Sequence, residues 1–381
     1  MPGLYLHIPF CRQACSYCNF HFSTGARGHD EMVAAIAAEI GRRHGELPAG
    51  PWESIYFGGG TPSLLTPKHV TALLDAAAAA RAIAPGAEIT LEANPDDLSE
   101  ATLAALARTP VNRLSIGVQS FREPDLRYMR RAHDARQAVA SIARAQAAGF
   151  DALTIDLIYG TPGLRDEAWL ANLRRAIDFG LPHLSAYALT VEPRTALAHD
   201  IRAGRSLPVD EEQAARQMEL LVDTLQAAGY EHYEVSNFAL PGRRAVHNGN
   251  YWRGRPYLGV GPSAHSFDGA RERSWNVANN ALYVRAIEAG ELPVERERLT
   301  DADRYNELLM TGLRTSWGVS DAALEGLGLA SAGLSFRQNF LRDAGPLLRD
   351  GLLERHGGAY RLTRAGRMRA DGISAGLFVL T

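Results

Sequence analysis

The sequence has little cysteine, almost no lysine and no long apolar run, and the first and last of these shortages each exclude a class of protein. Its 381 residues contain three cysteines, an odd number crowded between Cys11 and Cys18, so a scaffold of disulfide bridges is excluded. The basic residues are arginines except for Lys68, which indicates no particular chemistry. The Ala-rich stretch Ala76 to Ala80 is interrupted on both sides by charged residues. A membrane-spanning helix needs roughly 20 apolar residues, so transmembrane anchoring is not expected.

Net charge is also small. The formal charge is −3 and the sequence pI is near 6.5, so there is no global basic field that would attract nucleic acid or an anionic membrane. Peripheral membrane contact is left open. A content of 46% hydrophobic residues suffices for an ordinary core, and the length favours one large domain with a smaller one. No basic segment followed by an apolar stretch precedes the first strand, so no secretory signal is expected and the predicted location is cytoplasmic.

Short apolar runs alternate with amphipathic stretches along residues 1–230, which is typical of strand-helix units around a parallel sheet. Asp30, Asp134 and Asp166 are predicted helix N-caps, and Thr66 is predicted to cap a helix with Pro67 in its first turn. The pattern predicts an α/β fold, a partial open (β/α)6 TIM-like barrel with its site at the carboxyl ends of the strands. The six predicted strands are Leu4 to Ile8, Ser54 to Phe57, Glu88 to Glu92, Arg113 to Val118, Leu153 to Ile158 and Leu184 to Leu189.

Two further regions follow the predicted barrel. Residues 231–299 form a connecting extension, and residues 300–381 are predicted to form a smaller C-terminal α+β domain of winged-helix-like outline, with a turn at Gly357-Gly358 between two strands. Arginines give this domain a local basic face, for which a solvated surface is the favoured interpretation. A nucleic-acid-binding domain coupled to a redox sensor is the least favoured alternative, and no nucleic acid partner is expected.

The three cysteines, Cys11, Cys15 and Cys18, lie in the loop 9–21, directly after the first predicted strand. An iron–sulfur cubane takes four ligands, so three thiolates would leave one iron open to a small-molecule chelate. The alternative is a structural zinc with His7 or His21 as a fourth ligand, because Cys3His sites are common. The cysteines by themselves leave both possibilities open.

A glycine triplet follows the second predicted strand. Gly58, Gly59 and Gly60 precede Thr61, and glycine lets a ligand approach the backbone where other residues do not. By itself such a triplet is weak evidence.

Together, the segment from Tyr5 to Cys18 and the segment from Gly58 to Pro62 resemble the radical S-adenosylmethionine superfamily, and within it the coproporphyrinogen dehydrogenase-like branch. The resemblance implies that the three cysteines hold a [4Fe-4S] cluster and that S-adenosylmethionine chelates the open iron. The cofactor carries the hard chemistry and the protein supplies orientation and a dry cavity. Residues that resemble the cofactor site of this branch are Tyr5, Tyr17, Gly58, Gly59, Gly60, Thr61, Glu92, Gln119, Arg131, Asp156, Ala188 and His265.

Some of these residues have an implied role. Glu92 and Gln119 resemble residues that hydrogen-bond the cofactor, and Arg131 resembles the arginine that pairs with the methionine carboxylate, a task that suits a guanidinium. Asp156 resembles a further acid of the cofactor site, although a buried Asp can equally be a structural hydrogen-bond hub. His265 is either a second candidate ligand or a neighbour of the cofactor.

Two departures separate this chain from the enzymes of the branch. Those enzymes carry a fourth cysteine where this chain has Phe20, and an extension ahead of the first strand, whereas this sequence starts at the strand. Its Cys18-Asn19-Phe20 resembles instead the heme-chaperone family of the same branch. The alternative function is that of an oxygen-independent coproporphyrinogen III dehydrogenase, and whether the chain turns over a substrate is left open.

A second motif supports the heme-chaperone resemblance. The segment from His247 to Trp252 has the His-Asn-x-x-Tyr-Trp pattern of that family, which implies heme contact by His247, Asn248, Tyr251 and Trp252. A neutral imidazole is an ordinary axial ligand of heme iron, and aromatic rings can stack on the porphyrin. The resemblance implies heme as cargo, recipient hemoproteins of respiration and an electron donor. A homodimer is left open.

Overall fold

The computed structural model describes residues 1–25, 27–328 and 334–379. Six strands form its centre, each paired in parallel with the next along the chain, and this confirms the predicted barrel core. Each predicted strand is present with bounds that differ by a few residues. They are β1 (Gly3–Ile8), β2 (Trp52–Gly59), β3 (Ile83–Ala93), β4 (Arg113–Gln119), β5 (Ala152–Tyr159) and β6 (His183–Ala188).

Helices lie between these strands and after the last of them. They are α1 (His29–Arg43), α2 (Pro67–Ala80), α3 (Glu100–Leu106), α4 (Glu123–Tyr128), α5 (Ala135–Ala147), α6 (Asp166–Asp178), α7 (Ala196–Arg202) and α8 (Glu211–Ala227). Thr66 and Asp134 cap α2 and α5 as predicted, each in a capping box with the residue three positions later. Asp30 and Asp166 were wrong as caps, because both lie inside the first helical turn, where their charge favours the N-terminal end of the helix dipole.

The extension continues the central sheet on both edges. It contains β7 (Glu231–Glu234), β8 (Asn237–Ala239), α9 (Val246–Trp252), β9 (Tyr257–Val260), β10 (His265–Phe267), β11 (Glu272–Asn276), α10 (Asn280–Glu288) and β12 (Val294–Arg298). Strand β8 pairs antiparallel with β6, and β9 pairs parallel with β1, so a single sheet runs β12-β11-β10-β9-β1-β2-β3-β4-β5-β6-β8-β7. The predicted boundary near residue 230 stays a prediction.

The smaller C-terminal unit is α+β, as predicted. Its elements are α11 (Asp301–Gly312), β13 (Val319–Ser320), α12 (Asp321–Glu325), α13 (Phe336–Arg349), β14 (Leu353–His356), β15 (Ala359–Leu362), α14 (Arg364–Arg367) and α15 (Ala370–Gly376). Three antiparallel strands form its sheet in the order β13-β15-β14. Gly357 and Gly358 both have positive φ, 57° and 79°, which suits the tight turn between β14 and β15.

A buried ion pair joins the barrel to the extension. Glu39 and Arg43 on α1 are fully buried and their charged atoms are 2.7 Å apart. Arg43 also donates to the Ser274 hydroxyl at 2.9 Å, and Glu39 accepts from the Gly261 amide at 2.9 Å. The pair therefore holds β9 to β11 against α1. No helix among the described residues combines the length and the apolar character that crossing a membrane requires.

Candidate functional site

The cysteine loop, residues 9–21, follows β1 and is held by backbone hydrogen bonds. The amide of Cys11 donates to the carbonyl of Ser23 at 2.9 Å, and the amide of Ser23 donates to the carbonyl of Pro9 at 2.8 Å. In the middle of the loop, the Ser16 amide donates to the Met129 carbonyl at 3.1 Å. The loop thus packs on the segment after β4. All three cysteines are free thiols of intermediate exposure.

A chain of hydrogen bonds connects two of these cysteines through the strand ends. The Thr61 hydroxyl donates to Cys11 Sγ at 3.4 Å, and Arg131 Nη1 donates to Cys15 Sγ at 3.2 Å. Between them, the Asn94 amide donates to Thr61 at 3.2 Å and accepts from Arg131 at 2.6 Å. The ends of β2 and β3 and the segment after α4 therefore converge on the cysteine loop.

Burial raises the pKa of Cys11, and it raises the pKa of Cys18 to about 11. These thiols therefore keep their protons at neutral pH until a metal displaces them.

The donor set fits a cluster better than a single zinc ion. No group of three or more His, Cys, Asp or Glu side chains in the described ranges is arranged to hold one metal ion. His7 Nε2 lies 2.9 Å from the carbonyl oxygen of His21, and His21 Nε2 lies 2.7 Å from Asn280 Oδ1, so both rings have other partners. In a cubane each thiolate binds a different iron, so the three sulfurs need not meet at one point.

Beside the cysteines, Arg131 provides a positive charge that suits an anionic ligand. Arg131 lies against Cys15 and Asn94, and its Nη2 also donates to the Gly117 carbonyl at 2.9 Å. Its Nε is buried with no hydrogen-bond partner among the residues described. An unsatisfied charged donor at this place matches the predicted need for a carboxylate partner.

The glycine triplet packs closely against the chain itself. A Cβ on Gly60 would lie 2.6 Å from the carbonyl oxygen of Phe10, and one on Gly59 would lie 2.7 Å from the His7 ring. A Cβ on Gly58 would lie 2.9 Å from the Tyr5 ring. The sequence predicts that these glycines let a ligand approach the backbone. The structure adds a second reason for glycine, because β2 packs closely against β1 and the start of the cysteine loop.

Two carboxyl groups, Glu92 on β3 and Asp156 on β5, are half-buried inside the barrel. The Tyr56 hydroxyl donates to Glu92 at 2.7 Å. Burial, together with the charge of Asp156, raises the pKa of Glu92 to about 7, and burial raises the pKa of Asp156 to about 6. Both groups line a small polar cavity of about 220 Å³.

The other predicted cofactor residues lie at the same end of the sheet or beside the loop. Gln119 ends β4 with a φ of 63°, a conformation that a non-glycine residue adopts only when its surroundings hold it there, and Ala188 ends β6. Tyr17 is half-buried in the cysteine loop, and its partial burial raises its pKa.

The His-Asn-x-x-Tyr-Trp motif forms α9, and its histidine is only 2% exposed. His247 Nδ1 lies 2.8 Å from the Ser54 hydroxyl, and Nε2 lies 2.9 Å from the Tyr251 hydroxyl. The ring stacks on Tyr56 with centroids 5.0 Å apart. Burial lowers the pKa of His247 to about 3, so the ring is neutral. Both ring nitrogens are thus engaged within the protein.

A large cavity of about 1190 Å³ lies between the extension and the C-terminal unit. Tyr5 and Tyr251 line both this cavity and the small polar one, so they separate the two spaces. The cysteine loop reaches the large cavity through Phe20, whose side chain is 68% exposed. Trp252 and His265 also lie on its wall, whereas Asn248 lines the small cavity.

Several site residues were missed by the sequence interpretation. Asn94 lies two positions after Glu92 at a strand end, and this position was the signal that could have found it. Ser54, which contacts His247, and Arg253 and Arg304, which line the large cavity, carry no local signal, because only the fold brings them to these places.

The fold and the cysteine loop define a radical S-adenosylmethionine protein. Residues 5–176 match the Radical SAM superfamily and residues 299–369 match the HemN C-terminal domain. The structure resembles that of coproporphyrinogen III oxidase (HemN) from Escherichia coli with a TM-score of 0.84 at 24% identity, covering 99% of this chain and 90% of the other. At this identity the likeness shows the fold.

Relatives of known name define the family more narrowly. The chain is 37% identical over 97% of its length to the heme chaperone HemW of Mycobacterium tuberculosis (strain ATCC 25618 / H37Rv), of which it covers 93%. It is 32% identical to HemW of Bacillus subtilis (strain 168) over 98% of each chain, and 39% identical to HemW of Escherichia coli (strain K12) over 69% of each. The chain belongs to the HemW family.

Proposed function

We propose that this protein is a heme chaperone that binds heme as cargo on a radical S-adenosylmethionine scaffold and delivers it to hemoproteins. The observation that carries the proposal is the similarity to named heme chaperones over nearly the whole chain. The large cavity supports it, because its volume of about 1190 Å³ and its aromatic wall suit a flat apolar molecule the size of a porphyrin.

The cofactor site would use the residues at the strand ends. Cys11, Cys15 and Cys18 would hold a [4Fe-4S] cluster, which when bound supplies the electron that cleaves the sulfonium of S-adenosylmethionine. Arg131 would bind the carboxylate of that ligand through its free Nε, and it already positions the Cys15 sulfur.

The remaining strand-end residues would orient and enclose the same ligand. They are Tyr5, Tyr17, Gly58, Gly59, Gly60, Thr61, Glu92, Gln119, Asp156 and Ala188. Glu92 and Asp156 would accept hydrogen bonds from it inside the barrel, where partial burial limits their contact with bulk water.

The heme-binding motif would act at the wall between the two cavities. Tyr251 and Trp252 would contact the porphyrin from the large cavity, and Asn248 would support α9 from the small one. That His247 ligates the heme iron stays a prediction. Ligation would require its ring to leave Ser54 or Tyr251 first.

The proposal is tested on anaerobically reconstituted protein. We expect about four irons and four sulfides per chain by [4Fe-4S] stoichiometry, and a loss of both in Cys15→Ala. We also expect stoichiometric heme uptake and transfer to an apo-hemoprotein. The matched control is Ser23→Ala, next to the loop. A stoichiometric zinc content, or no heme uptake by the reconstituted protein, would contradict the proposal.

The enzyme alternative is decided in the same preparation. Coproporphyrinogen III with S-adenosylmethionine and a reductant would yield protoporphyrinogen if the chain were a dehydrogenase. We expect none, because the protein has Phe20 where those enzymes have a further cysteine. The proposal also includes respiratory hemoproteins as recipients, a separate electron donor and a cytoplasmic location.

A further inference from the structure

The wall of the large cavity carries three histidines, and they differ in their hydrogen bonding. His7 Nε2 is 2.9 Å from the His21 carbonyl, and its Nδ1 is 3.3 Å from the Tyr5 hydroxyl. His21 Nε2 is 2.7 Å from Asn280. The ring of His265 makes no hydrogen bond with any residue described, and more than a third of the residue's surface is exposed. Of the three, His265 therefore has the free imidazole.

The backbone of His265 is held firmly. Strand β10 pairs with β11, with His265 opposite Trp275, and the two rings stack with centroids 6.0 Å apart. On the other side, a Cβ on Gly259 would lie 2.0 Å from the carbonyl oxygen of His265, so only glycine admits the chain there. The neighbouring Ser266 hydroxyl accepts from the Gly259 amide at 2.9 Å. The imidazole is thus presented to the cavity from a rigid element, as a metal ligand should be.

The cavity also carries cations that the protein leaves without a carboxylate. Arg253 and Arg304 line it, and neither forms a salt bridge with any described residue. The Arg253 guanidinium packs over the Trp317 ring at 4.6 Å. In contrast, Arg273 on the same cavity is paired with Glu307 at 2.6 Å. Two free guanidinium groups match the two propionate groups of a heme.

We infer that His265 is the axial ligand of the heme iron in the large cavity, and that Arg253 and Arg304 bind the heme propionates. The inference rests on the proposed function and names the groups that hold its cargo. In this arrangement His247 is a positioning residue that holds Tyr251 in the wall between the two cavities.

Binding of heme and of metal-free protoporphyrin distinguishes iron ligation from propionate binding, because both molecules carry propionates and only heme carries an iron. We expect His265→Ala to lower heme affinity by roughly tenfold or more, the scale of one lost strong interaction. It should leave protoporphyrin affinity unchanged, alter the axial-ligand signature in the visible and electron paramagnetic resonance spectra, and regain that signature with added imidazole. The Arg253→Gln/Arg304→Gln double variant should weaken both porphyrins by similar factors and keep the wild-type signature.

Matched controls come from exposed residues of the C-terminal unit. His356→Ala and Arg349→Gln should bind both porphyrins as the wild type does. Iron and sulfide contents should be equal in all variants, which shows that each has folded around its cluster.

The inference is overturned if wild-type protein binds heme while His265→Ala keeps its affinity and spectrum, or if only His247→Ala loses the axial signature. Wild-type protein that binds neither porphyrin would instead overturn the proposed function.

Discussion

Arg131 Nη1 donates a hydrogen bond to the sulfur of Cys15 across 3.2 Å, although the two residues are 116 positions apart in the sequence. The same guanidinium binds Asn94 and keeps its Nε unpaired in the described structure. One side chain therefore joins the cysteine loop to the ends of the strands and still has a donor left for a ligand.

Replacing this arginine is expected to weaken the binding of S-adenosylmethionine. In Arg131→Gln the cofactor's carboxylate loses a charged hydrogen bond, which costs roughly 1.5–3 kcal/mol or about 10- to 150-fold in affinity for S-adenosylmethionine. Equilibrium binding to the reconstituted protein measures the change. The control is Arg127→Gln, because Arg127 is exposed on α4, just before the segment that carries Arg131. Equal affinity in both variants would disprove the assignment.

Gly60→Ala is expected to disturb the junction between β2 and the cysteine loop. The new Cβ would lie 2.6 Å from the Phe10 carbonyl oxygen and 2.8 Å from that of Ile8, and rigid backbone cannot yield cheaply. We expect a loss of about 1–3 kcal/mol in the free energy of unfolding, as for other overpacked sites, with a lower iron content. Gly41→Ala in α1, where the added Cβ meets nothing within 4 Å, should be neutral or slightly stabilising. A Gly60→Ala protein with wild-type stability and iron content would contradict the prediction.

Arg43→Leu should destabilise the protein by about 3–5 kcal/mol, because it leaves the carboxylate of Glu39 buried without its partner. Urea unfolding measures the loss. The neighbouring Arg42 is exposed, and Arg42→Leu should change the free energy of unfolding by less than about 1 kcal/mol. Similar losses in the two variants would show that the buried pair has no special role.

Glu92 should make the protein without its cluster less stable as pH rises. Its pKa is raised from 4.5 to about 7, so between these values the unfolded carboxyl releases its proton while the folded one keeps it. Stability from this group is complete below pH 4.5 and is lost as pH rises toward 7, by about 2–3 kcal/mol between pH 5 and pH 8.

Glu92→Gln should reduce the pH dependence of stability by this amount and leave the part that Asp156 contributes through its own raised pKa, whereas exposed Glu291→Gln should retain all of it. Urea unfolding of the three proteins at both pH values provides the measurement. If Glu92→Gln kept the same dependence of unfolding free energy on pH as the wild type, Glu92 would titrate at its ordinary pKa in the folded protein.

Local pattern predicted the strands well because each is an apolar run between clear helix signals. The helix starts were less certain. Asp30 and Asp166 fit the cap pattern, yet Gly28, with a φ of 87°, and Arg165 occupy the cap positions. An acidic residue favours the N-cap and the first turn for the same electrostatic reason, so sequence separates the two poorly.

Local sequence places the chemically active residue types at the strand ends. Three thiols lie in one short loop, a glycine triplet and polar residues follow successive strands, and parallel strands must bring their carboxyl ends to one edge. The ligands of these groups were implied by the family resemblance. Which side chains keep a free hydrogen-bonding group depends on the three-dimensional packing. His247 lies between Ser54 and Tyr251, whereas His265 faces a cavity that Arg253 and Arg304 complete. The physical reason is that hydrogen bonding and burial depend on partners far away in the chain, which no local pattern encodes.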